Sequence, residues 1–123
     1  MDAISYPDLN KQEVIQSYFS SKEILQQLII QIAKDFHTSG FEIKLDESKE
    51  FSFKELVDVV HEKLLDLKPE QIFSLSYKID IPENRTSVKG ENSHGASLEK
   101  ISELIVKREL QKIILREIFK KPS

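Results

Sequence analysis

Four cations recur at every fourth position near the C-terminus: Arg108, Lys112, Arg116 and Lys120. On a helix that spacing stacks side chains up one side, so they predict a basic stripe. Such a stripe suits an acidic protein surface, nucleic-acid phosphates or anionic lipid. It also has an ordinary explanation, because cations near a helix C-terminus complement its dipole. Glu103, Glu109 and Glu117 are spaced to pair with some of them. Phe119 is the one aromatic neighbour, fewer than single-stranded nucleic-acid binders use. The candidate partner-binding residues are therefore Arg108, Lys112 and Arg116, with Ile114 and Ile118 as apolar anchors.

Other residue types offer less. His37 stands near Asp35, His61 follows Asp58 by three positions, and His94 sits in a polar stretch. A helical zinc site wants two ligands four apart, and no histidine has another at that spacing. Asp58 and His61 mark where a catalytic or ligand site assembled from distant segments would be sought. Asp46, Glu47 and Glu50 cluster around Ser48 and Lys49, a hydrophilic setting that does little to drive carboxyl pKa values apart. Gly40, Gly90 and Gly95 form no phosphate-cradling loop, and no nucleophile elbow occurs. The chain has no cysteine, which excludes disulfides, thiolate catalysis and cysteine metal sites. No catalytic residue and no cofactor or metal are expected.

The elements that must position these residues read as helices. The chain has 123 residues, 39% of them hydrophobic and 32% charged, with 3 Gly and 4 Pro. That is enough to bury a core without staples, and too few turn formers for a sandwich or barrel. Ile15, Tyr18, Lys22, Leu25, Ile29, Ile32 and Phe36 alternate spacings of three and four, which predicts one long helix over 11–38. Asn10 with Glu13 marks its start, Gly40 its end. Ser20 with Glu23 is a competing capping signal that would bend or break it. Over 53–67, Phe53, Leu56, Val57, Val60, Leu64 and Leu67 form one apolar face behind a Ser52–Glu55 capping box, and Pro69 closes the element.

Two segments read both ways. Phe41, Ile43 and Leu45 alternate with polar residues, as a short strand would. Residues 73–81 alternate too, yet Ile72, Leu75 and Ile79 fit a helix opened by Pro69, and the helix is preferred. Residues 82–96 read as a flexible polar loop. The last helix, over 98–120 behind Ser97, carries apolar residues on nearly every side. A helix apolar all round needs more than one neighbour, within the chain or in a second subunit.

The expected fold is all-α, a single compact domain of about four helices over 1–123. The alternative is α+β, with a short hairpin-like sheet from 41–45 and 73–81. Met1–Asn10 lacks the basic start and apolar core of a signal peptide, and a cytoplasmic location is expected. Net charge is −3, against bulk nucleic-acid binding. Residues 97–123 hold seven Lys/Arg and four Asp/Glu, hence +3, and the remainder carries −6. The expected function is a non-enzymatic protein–protein interaction or assembly module, with a protein partner or self-association as a homo-oligomer. The alternatives are a nucleic-acid-associated protein using the basic helix, or a small ligand-binding protein or enzyme.

Overall fold

The computed structural model describes residues 8–81 and 97–120, with the side chain of Lys120 left out. Among the described residues there are five helices and no strand: α1 (Gln12–Phe19), α2 (Lys22–Thr38), α3 (Phe53–Leu64), α4 (Pro69–Ile79) and α5 (Leu98–Lys120). The all-α expectation holds, with one helix more than expected. The polar stretch 82–96 lies outside the described residues.

The extra helix arises where the two capping signals compete. The 11–38 segment breaks at Ser20–Ser21, and the cap is Ser21, whose hydroxyl accepts from the Ile24 amide. Ser20 instead turns back, its hydroxyl donating to the Gln16 carbonyl. The apolar seam still lies on one side, with Ile15, Leu25, Ile29, Ile32 and Phe36 buried. Lys22, its polar member, points out toward Glu50 at 3.6 Å. The start is also shifted: Lys11 occupies the N-cap of α1 without a side-chain cap.

α3 has the capping box its sequence announces, with Glu55 N donating to Ser52 Oγ at 3.1 Å and Ser52 N donating to Glu55 Oε1 at 2.9 Å. Phe51 and Leu56, on either side of the cap, are both buried. A Ser52→Ala change is expected to cost about 1 kcal/mol, read as a lower urea midpoint with an unchanged slope.

The hairpin-like sheet does not form. Residues 73–79 belong to α4, so 41–45 has no strand to pair with and lies extended over the core, burying Ile43. Helical spacing wins because Ile72, Leu75, Ser76 and Ile79 meet the core together while Phe73 and Tyr77 face out. Asp80 ends α4 with φ of +74°, and the Ile81 amide reaches back to the Ser76 carbonyl at 2.9 Å. This left-handed turn closes the helix.

α5 organises the domain. It packs most extensively on α3, next on α2, and also on α4. Ile101, Ile105, Val106, Leu110 and Ile113 are fully enclosed among these neighbours. Burial of each such side chain contributes about 2 kcal/mol. Most of the apolar pattern on α5 is thus taken up within one chain, whereas Ile118 and Phe119 near its end stay exposed.

Candidate functional site

The helices α2 and α5 meet along a polar seam. Lys112 Nζ lies 3.1 Å from Asp35 Oδ2, Arg116 donates to Gln31 Oε1 at 2.6 Å, and Gln27 donates to Glu117 Oε2 at 3.5 Å. Each step toward the C-terminus of α5 meets an earlier turn of α2, so the two helices run antiparallel. These partners are 77, 85 and 90 residues apart in sequence.

At one end of the seam is a buried acid pair. The Glu109 side chain is 0% exposed, and Lys112 Nζ stands 3.1 Å from its Oε1 as well as 3.1 Å from Asp35 Oδ2. One ammonium, 22% exposed, serves two carboxyl groups. The contact to Glu109 is short but misaligned, so neither Glu109 oxygen has a well-formed hydrogen bond from a cation or amide. Two ionised acids offer no donor to one another, whereas a protonated Glu109 does. Burial, then the hydrogen bond with Asp35 and its negative charge, push the Glu109 carboxyl up to about 8 against the pull of Lys112. Burial also pushes Asp35 up, but hydrogen bonds with Glu109, Gln31 and Lys112 and the Lys112 charge outweigh it, leaving Asp35 below its ordinary value. Burial and the neighbouring carboxylate thus favour the protonated form of Glu109, beside an Asp35–Lys112 ion pair.

The basic stripe is engaged from end to end of its described part. Arg108 donates to Asp80 Oδ2 at 3.0 Å and to Gln111 Oε1 at 2.6 Å, Lys112 holds the acid pair, and Arg116 holds Gln31. Of the two apolar anchors, Ile114 is a core residue at 3% exposure, whereas Ile118 is 37% exposed. Phe119, which follows it, is 63% exposed. A groove of about 260 Å³ is lined by Ile118 together with Tyr18, Ile24, Ile114 and Glu117.

The remaining candidates stay apart. His37 Nδ1 meets Glu42 Oε1 at 3.0 Å in an exposed pair. Asp58 turns to Lys54 at 3.5 Å rather than to His61. Asp46 accepts from the Ser48 hydroxyl and amide, an exposed turn that lowers its pKa. His94 lies outside the described residues. No cluster of three or more His, Asp or Glu among the described residues is placed to hold a metal. No described helix is long and apolar enough to cross a membrane.

Family models, curated proteins and solved structures yield no match to this chain.

Sequence reasoning treats Glu109 only as a surface partner for the stripe. A signal for its burial exists: Ile105, Val106, Leu110 and Ile113 stand four, three, one and four positions away, in the middle of the enclosed face of α5. Asp35 carries no comparable local sign, because Lys112 and Glu109 come from the far end of the chain.

Proposed function

We propose that this chain is a cytoplasmic, non-enzymatic protein-interaction module whose contact surface is the C-terminal end of α5 and the groove beside it. The partner is an amphipathic helix with acidic residues flanking its apolar anchors. The observation that carries this reading is the exposure of Ile118, which lines the groove, and of Phe119, the next residue of α5. Exposed large apolar side chains grouped beside a groove are what a helix-in-groove contact uses. The +3 charge of residues 97–123 supports an acidic partner.

Self-association is the second form of this reading. A two-fold contact through the same end would bring two copies of exposed Arg116 together, which favours an acidic partner over a second copy. Nucleic acid is less well supported, because Arg108 and Lys112 already neutralise Asp80 and Asp35.

The test is selection of 16-residue peptides from a displayed library against the immobilised chain. Selected sequences are expected to place apolar residues at three- and four-residue spacing beside Asp or Glu. A Phe119→Glu variant should bind them at least tenfold more weakly, a hot-spot effect of about 1.4 kcal/mol, with unchanged helical circular dichroism. Equal binding by wild type and Phe119→Glu, or selected peptides without acidic residues, would remove the proposal. Sedimentation of the unliganded chain separates a second copy from a foreign helix.

A further inference from the structure

Glu109 is an unusual choice for its position. It is fully enclosed, and its oxygens lack a well-formed hydrogen bond from any cation or amide. A single ammonium stands 3.1 Å from it and 3.1 Å from Asp35 on the facing helix. The charged groups acting on it are Asp35 from α2 and Lys112 from α5, and among the described residues α3 and α4 add none. Arg108, next in the chain, turns away to Asp80 at the end of α4. Arg116, further along α5, turns to Gln31. Among the described residues no further cation is directed at the pair.

We propose that Glu109, Asp35 and Lys112 form a one-proton latch on the α2–α5 contact. With the proton on Glu109 the cluster is neutral, one carboxylate against one ammonium, and the helices stay closed. When the proton leaves for bulk water, two carboxylates share one ammonium and the seam carries a surplus negative charge. An enclosed surplus charge is relieved most directly by admitting water, which requires α2 and α5 to part. The latch stands on this cluster alone and does not depend on which partner the groove takes.

The sign follows from where the proton sits. The closed state keeps a proton that the opened state releases. The opening equilibrium therefore grows about tenfold per pH unit between the two states' titration points and levels off above the higher one.

The experiment is amide hydrogen exchange on the full chain from pH 5 to 9, corrected for intrinsic rates. Protection of amides in the C-terminal half of α2 and in α5 around Lys112 is expected to fall about tenfold per pH unit and then level off. At pH 8 these amides should be at least tenfold less protected than those of α3. Glu109→Gln should abolish the pH slope, and Asp35→Asn should move the levelling-off to lower pH. A flat wild-type profile overturns the latch whatever the variants do. So does a slope that survives Glu109→Gln. Equal protection across the seam and α3 also overturns it, because the charge would then act only on global unfolding.

Discussion

A Lys112→Met variant is expected to lose about 3 kcal/mol of stability at pH 7. Among the described residues, the side chain it removes is the only cation within reach of two buried acids on two helices. Breaking a buried pair by removing one member leaves the other charge enclosed and uncompensated. The lower end of the usual range applies because Lys112 keeps 22% of its surface in solvent. Asp35 then keeps the Gln31 amide at 3.2 Å but has lost the ammonium that neutralised it. Loss of the ammonium raises the Asp35 titration point, so the deficit should shrink as pH falls and Asp35 takes up a proton. Urea titrations at pH 7 and pH 4 read both effects. A loss under about 1 kcal/mol at pH 7, the size expected of a surface ion pair, would mean the cluster is solvated in solution.

The second large effect is a core cavity. Phe36 is fully buried near the end of α2, and its carbonyl accepts the Phe41 amide at 2.9 Å, so ring and backbone both tie α2 to the following segment. Phe36→Ala is expected to cost about 3–5 kcal/mol. That is a large part of the stability of a small domain, and melting should fall by about 15 °C. Tyr77→Ala, on the exposed side of α4, should shift stability by no more than about 0.5 kcal/mol. The contrast reads the helical assignment of 69–79 directly, because a strand there would place Phe73, Leu75, Tyr77 and Ile79 on one face.

How much of this was legible in the sequence depended on range. The Ser52–Glu55 box, the Pro69 start and the Ser97 cap are local devices, and each stands where its residues place it. The break at Ser21 was legible only as a competition, since the apolar spacing continues through it and either cap could have lost. Residues 73–81 satisfy two periods at once, and packing against α2 and α5 decides between them. The breadth of α5 announced several neighbours without saying whose they were. The acid pair was least legible, because its members lie on different helices and gain their character from burial.

That pair also makes two opposing contributions to the pH response of the domain. Glu109 in the folded chain titrates near 8 rather than 4.5. Its contribution is fully present below about 4.5 and is lost as pH rises through about 8, on the order of 3 kcal/mol of it by pH 7. Asp35 acts oppositely: its lowered value contributes stability above its ordinary titration point, lost as pH falls through the lowered one. Maximal stability is therefore expected at mildly acid pH, about 4–5.

The most direct test of a proton held inside the α2–α5 seam is a carboxyl-carbon NMR titration of the wild-type chain, with Glu109 assigned by comparison with Glu109→Gln. The expected result is a Glu109 resonance that titrates near 8. A Glu109 resonance that titrates near 4.5 would contradict the account.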